Sequence, residues 1–375
     1  MILIKKILFG LLILSTLLNI SIANGDTTKI SFQIEEIGSL NTNGGAIDVI
    51  AEGNTAFVLD RADSSPGGLV IVDISDPSNP IRLSSLHDGG SPFKLEKIGD
   101  YIFIADGPDG LEIIDISNLE HPVEVAQYTV SYYATDFEIA NDILYLAAWY
   151  DGLIMLNISN PNSIEYIGTY TQSLLTCIHV TIENNIMCIV NHQNDYNSMI
   201  FLDIVNPTNP THISTLLENN VEFWEPTIEN NIIYVGNHHI NGGELRIYNA
   251  SFLSDIQHIA TYDKRSNVFT SFINKTNLFL ADYNSGVIVL DVSNPTNPLK
   301  IGDFDDGGHC YKVFLHDELL LVADLGDGLE ILSFEIATKT VGSLFGSFSI
   351  VTSSILIIYF IIKNKSAKKE KKAIK

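Results

Sequence analysis

Two adjacent histidines, His238 and His239 in "NHHINGG", are a pair of metal-ligating side chains in the 375-residue chain. A third, His192, stands in "NHQNDYNS", and the two tryptophans stand in "WYDG" (Trp149) and "EFW" (Trp224). Neutral imidazoles can take Zn2+ or hydrogen-bond a polar ligand, and indole rings offer flat faces with one polar edge. Carboxylates recur in the same kind of short segment: Asp106 with Asp109 in "DGPDG", Asp282 in "DYNSG", Asp324 with Asp327 in "DLGDG". Oxygen ligands at alternating positions suit Ca2+, but two carboxylates fall short of the six to eight oxygens that ion takes. No cofactor is therefore expected, Ca2+ being the one cation these pairs fit.

Asp-Gly and Asn-Gly pairs are also good turn residues in their own right. Turn geometry accounts for the glycines and many of the aspartates, but it does not call for His192, His238, His239, Trp149 or Trp224. These five, with Asp106, Asp282 and Asp324, form the candidate ligand-binding set. No catalytic residue is singled out: H-E-x-x-H, a nucleophile elbow and a Gly-rich phosphate loop are all missing.

The segments carrying these residues recur because the chain is a repeat. The phrase "GGLVIVDISDPSNP", Gly67 to Pro80, returns as degraded copies six more times. The residue ending each copy's apolar run is Asp73, Asp115, Asn157, Asp203, Asn249, Asp291 and Ser333, spaced by 42, 42, 46, 46, 42 and 42 residues. Such a period outweighs any domain count from length. Within a unit, four short runs of β-branched and aromatic residues alternate with Asn, Asp, Gly and Pro, the pattern of strands joined by tight turns. In the unit from Ser91 to Thr129, Phe93 and Leu95 lead the first run and Lys97 reads as its exposed exception. Leu69 to Val72, apolar at every position, reads as a strand covered on both faces. The Asp or Asn after it can accept a hydrogen bond from the amide two residues on and end the strand. Eight of the twelve prolines then block its continuation.

Seven four-stranded units of this length predict an all-β fold, a seven-bladed β-propeller, over residues 32–335. The last unit stops after its third strand at Glu335, while "FQIEEIGSL", Phe32 to Leu40, is an orphan with fourth-strand character. That strand is expected to complete the last blade and close the ring. The "LVIVDIS.P..P" phrase resembles the LVIVD repeat, a β-propeller repeat of bacterial and archaeal surface proteins. The resemblance implies a propeller and a surface location, and no catalytic residues; "ELRIYNASFLS" departs from it, lacking both prolines.

The chain ends point the same way. Lys5 and Lys6, an apolar run to Leu18 and small residues at Ser21 and Ala23 read as a signal peptide, residues 1–23. Residues 341–362 carry no charge and have the length to span a bilayer as a helix; residues 363–375, with seven lysines, would stay in the cytoplasm. The expectation is a single-pass type I protein of the cell membrane with its propeller outside. Gly342 and Gly346 in the span offer a G-x-x-x-G contact for dimerisation, weakened by its place at the outer edge. Between Asn24 and Thr340, 12 Lys and Arg stand against 44 Asp and Glu, a balance of −32 that argues against nucleic acid and anionic lipid as partners. Cys177, Cys188 and Cys310 read as buried free thiols, with Cys177 opposite a position near His192 and not Cys188. Of the sequons at Asn157, Asn249 and Asn274, the last is the best placed for a glycan.

Together these features favour a membrane-anchored recognition or adhesion module binding a surface protein or glycan through its loop face. The alternatives are an extracytoplasmic enzyme, hydrolase or quinoprotein-like, and a purely structural envelope component. Two tryptophans are too few for the repeated tryptophans of a quinoprotein.

Overall fold

The computed structural model describes residues 27–61, 67–172, 175–192, 197–218, 221–237, 243–263, 267–305 and 307–341. The expected signal peptide, the apolar span beyond Val341 with Gly342 and Gly346, the basic tail, and His238 and His239 lie outside the described residues. Among the described residues no helix is long and apolar enough to cross a membrane.

Seven four-stranded antiparallel sheets form, one for each sequence repeat. Blades 1 to 6 are sequential hairpins over 45–89, 94–128, 136–170, 177–217, 227–263 and 268–304. Blade 7 takes three strands from the end of the propeller, from Cys310–His316 to Gly328–Val341, and its fourth from Thr27–Leu40. The orphan strand thus closes the ring as its pattern predicts, and both closing strands run longer than expected, to 14 residues each. Two compact units result: the propeller, Ser31–Ala337, and the chain ends, described only for 27–30 and 338–341.

The third strand of each repeat is buried because it lies between neighbouring blades. Leu69, Val70, Ile71 and Val72 are fully buried, split between a cluster shared with blade 7 and one shared with blade 2. Phe32 of the closing strand packs on Phe279 and Phe334 at ring distances of 6.4 and 5.6 Å. The strand-ending Asp and Asn act as turn caps: the amides of Ser75, Ser117, Ser159, Val205, Ser251 and Ser293 donate to Asp73, Asp115, Asn157, Asp203, Asn249 and Asp291 at 2.8–3.0 Å. Backbone N–H donation pulls the Asp73 carboxyl below its ordinary value.

Lys97 departs from expectation. Its side chain is only 15% exposed because the ammonium reaches Glu52 and the Gly99 carbonyl. Cys177 lies opposite Asn191, one residue from the expected His192, and all three cysteines are buried and free.

Candidate functional site

The innermost strand of each blade begins at the channel, and several begin with a β-bulge. The register jumps one residue between Ala46 and Asp48, Cys177 and His179, Val268 and Thr270, and Cys310 and Lys312. A bulged residue loses its ladder partner and its side chain is re-aimed, so Ile47, Ile178, Phe269 and Tyr311 are freed from the two-residue alternation. In blades 2, 3 and 5 Phe93, Thr135 and Trp224 hold the matching place, their amides bonded to the carbonyls of Ala105, Ala147 and Gly236.

The next residue of each blade forms a ring around the axis: Asp48, Lys94, Asp136, His179, Glu225, Thr270 and Lys312. Acceptors and donors nearly alternate, and the bonds cross blade boundaries. Lys94 Nζ lies 2.8 Å from Asp136 Oδ1 and 3.2 Å from Glu138, and Lys312 donates to Glu225 Oε1 at 2.9 Å. Asp48 accepts the Leu95 amide of blade 2 at 2.9 Å, and Asp136 accepts the Val180 amide of blade 4 at 3.0 Å with His179 Nδ1 3.2 Å away. Burial opposes ionisation of Asp136, but Lys94 and His179 outweigh it and hold the carboxyl well below the usual range. Burial likewise opposes the Lys94 charge, which Asp136 and Glu138 sustain. At Asp48 burial wins and pushes the carboxyl up to about 6; at Glu96, one layer down, it does so to about 7.

Above this ring lies a cavity of about 50 Å³, whose walls include the aromatic side chains of Phe93, Trp224, Phe269 and Tyr311. The rings are in mutual contact. Phe269 stacks on Tyr311 with centroids 4.6 Å apart and meets Trp224 edge-on at 5.2 Å. Trp224 in turn lies 5.2 Å from His179 and 6.0 Å from His192. The Arg61 guanidinium sits over Phe93 and Tyr311 at 5.0 and 5.8 Å. A second aromatic group, Tyr132, Tyr133, Trp149 and Tyr150, joins through ring contacts of 5.0 to 6.1 Å, with Tyr150 58% exposed. Trp149 holds φ at 47°, a strained conformation for a bulky residue, and its buried indole N–H has no hydrogen-bond partner among the described residues.

The expected site residues fall into three groups. Trp224 and His192 meet at the mouth, where His192 Nε2 donates to the Phe223 carbonyl at 2.8 Å. Trp149 belongs to the second aromatic group and pairs with Cys177 through an isolated bridge. Asp106, Asp282 and Asp324 are buried at the ends of second strands. Asp282 and Asp324 accept amides of their own turns, from Asn284 and Gly326. Asp106 and Asp324 also lie under neighbouring loops, where a Cβ on Gly90 or Gly308 would come within 2.0 and 2.4 Å of their oxygens. Glu112 joins Asp106 and Asp109, with one ligand atom from each within 4.8 Å of the others; three carboxylates still fall short of a Ca2+ shell.

Sequence reasoning missed the ring and most of the mouth. Phe93 and Phe269 sit at strand starts and read as core, Tyr311 reads only as the end of the loop segment Asp305 to Tyr311, and the ring position holds a different residue type in most repeats. Superposing the seven repeats on their inner-strand starts ("IDVI", "FKLEKI", "TDFEI", "IHVTI", "WEPTI", "FTSFI", "YKVFL") brings that position into one column.

The LVIVD repeat model matches residues 43–88, 94–130, 133–172 and 277–306. No curated protein matches the chain. Among solved structures, the computationally designed Ika8 protein aligns with a TM-score of 0.58 at 10% identity, covering 80% of this chain and 99% of its own. A chain from a S. cerevisiae complex of Dbp5 with Nup159 and Gle1 aligns with a TM-score of 0.56 at 11% identity, covering 81% and 95%. At such identities these two share the fold alone. With seven four-stranded blades among the described residues and the LVIVD repeat matched in four segments, the chain is a β-propeller that carries LVIVD repeats.

Proposed function

We propose that the protein is a cell-surface recognition or adhesion module that binds a protein or glycan through the loop face around the channel mouth. The observation that carries this reading is the aromatic array at the mouth. Phe93, Trp224, Phe269 and Tyr311 line a cavity together with the polar ring, and a second aromatic group exposes Tyr132 and Tyr150 to solvent. Aromatic rings set beside charged and hydrogen-bonding groups around one cavity offer a ligand both apolar contact and polar anchors. Loops on a rigid scaffold are where such sites are built. Anchoring by the apolar span from residue 341 to 362 and display outside the membrane belong to the same proposal and rest on the sequence of the chain ends.

The test is a glycan and surface-protein array probed with the full chain and with Trp224→Ala and His192→Ala variants. Binding that disappears in the Trp224 variant, with the β-sheet circular dichroism signal intact, supports the reading. Binding equal in all three overturns the placement at the mouth.

A further inference from the structure

The channel mouth is too small for a sugar ring or a peptide backbone. Its cavity of about 50 Å³, set against the roughly 10–15 Å³ that one water needs on the same measure, holds about three to five non-hydrogen atoms. A head group of that size enters, while the rest of a ligand lies on the rings outside.

Charge and wall chemistry say which head group. Along the axis Asp48, Glu96, Asp136, Glu138 and Glu225 face two lysines, Lys94 and Lys312. Five carboxylates stand against these two ammoniums and the His179 imidazole, so acidic groups outnumber basic ones along the axis. Lys312 takes Oε1 of Glu225, and Glu225 lines the cavity beside Asp48 and Asp136. The walls are aromatic faces, which attract cations through their quadrupoles. The molecule already uses them so, since Arg61 lies over Phe93 and Tyr311 at 5.0 and 5.8 Å.

We infer that the channel mouth is a site for an organic cation, an alkylammonium or guanidinium group held in the cavity whose walls include Trp224, Phe269 and Tyr311 and directed at Glu225. The inference rests on the reading of the mouth as the binding site and gives it a ligand class. The group comes either from a free amine or from a lysine or arginine side chain of a partner protein; the acceptor chemistry is the same.

The chain has two tryptophans, so a Trp149→Phe variant reports on Trp224 alone by fluorescence. The full chain in that background is titrated at fixed ionic strength with agmatine, n-butylammonium, butyrate and 1-butanol, and with the tripeptides Gly-Arg-Gly and Gly-Lys-Gly. The expected result is a saturable response to the cations and none to butyrate or 1-butanol. Affinity should fall at least tenfold in Glu225→Gln and in Phe269→Leu, two variants that fail to fold for different reasons if they fail at all. Tripeptides binding as tightly as the free amines assign the cation to a protein side chain; free amines binding alone assign it to a small molecule. The inference is overturned if no cation gives a saturable response, if 1-butanol or butyrate matches the cations, or if Glu225→Gln binds as wild type. Trp224-dependent binding on the array that persists when every cation fails would sink this inference and leave the recognition reading standing.

Discussion

Replacing Asp136 by Asn should destabilise the propeller more than any other single change in the axial ring. Asp136 is buried and takes four donors: the Phe137 amide at 2.7 Å, the Val180 amide at 3.0 Å, Lys94 Nζ at 2.8 Å and His179 Nδ1 at 3.2 Å. An asparagine keeps one acceptor oxygen, turns the other into a donor facing donors, and leaves Lys94 with Glu138 as its remaining hydrogen-bonded carboxylate. Removing one partner of a buried pair costs about 3–5 kcal/mol. At about 2.1 cal/mol/K per residue of unfolding entropy, a body of roughly 300 residues turns that into a Tm drop of about 5–8 °C. The assay is thermal unfolding followed by near-UV circular dichroism, with a double-mutant cycle through Lys94→Met. The cycle should return a coupling well above 1 kcal/mol, because the methionine removes the charge that the neutral amide of D136N can no longer satisfy. Lys97→Met is the control: its partner Glu52 is 72% exposed, and such pairs are worth at most about 1 kcal/mol. A D136N protein melting within 1 °C of wild type would refute the claim that the ring holds the blades together.

Other consequences follow from the same geometry. Phe32→Ala removes the ring that anchors the closing strand on Phe279 and Phe334 and should cost about 3–5 kcal/mol, with hydrogen exchange accelerating first in the strands of blade 7. Asp73→Ala deletes the cap on the Ser75 amide and should lower the chemical-denaturation midpoint, while Asp73→Asn, which keeps the acceptor oxygen, should leave it nearly unchanged. Stability should also fall as pH rises from about 4 to about 7, since the folded protein holds protons on Asp48 (about 6) and Glu96 (about 7) that the unfolded chain, at 3.8 and 4.5, has released. For Asp48 alone the window is worth on the order of 3 kcal/mol, and the slope of Tm against pH should flatten in Asp48→Asn.

The fold was legible because its signals are local and repeated. An apolar run covered on both faces, an Asx cap and a proline connector all lie within some fourteen residues, and seven copies average out the degraded ones. Even the departure at "ELRIYNASFLS" keeps its cap, with Asn249 bonded to the Ser251 amide. The site was less legible because it is built across repeats. Asp136 means little beside Phe137, and its role appears only when Lys94 of the previous blade and His179 of the next come within 3.2 Å. The bulge at Phe269 breaks the two-residue alternation that would have put that ring in the core. Trp224 and His192, which the structure brings within ring contact of each other, stood out in sequence because turn geometry has no use for an indole or an imidazole. The aspartates at 106, 282 and 324 stood out for a different reason: a buried loop brace and a ligand carboxylate look alike in sequence.

The most direct measurement is a comparison of two faces of the same molecule. Equilibrium binding of the array's best ligand would be measured for wild type, for a mouth variant (Trp224→Ala with Phe269→Leu), and for a variant of the strand connectors far from the mouth (Val205→Ser with Phe252→Ser, residues 70% and 75% exposed). Affinity lost in the mouth variant and kept in the connector variant is the result this account predicts. Affinity kept in the mouth variant and lost in the connector variant would place the site on the other side of the propeller and contradict it.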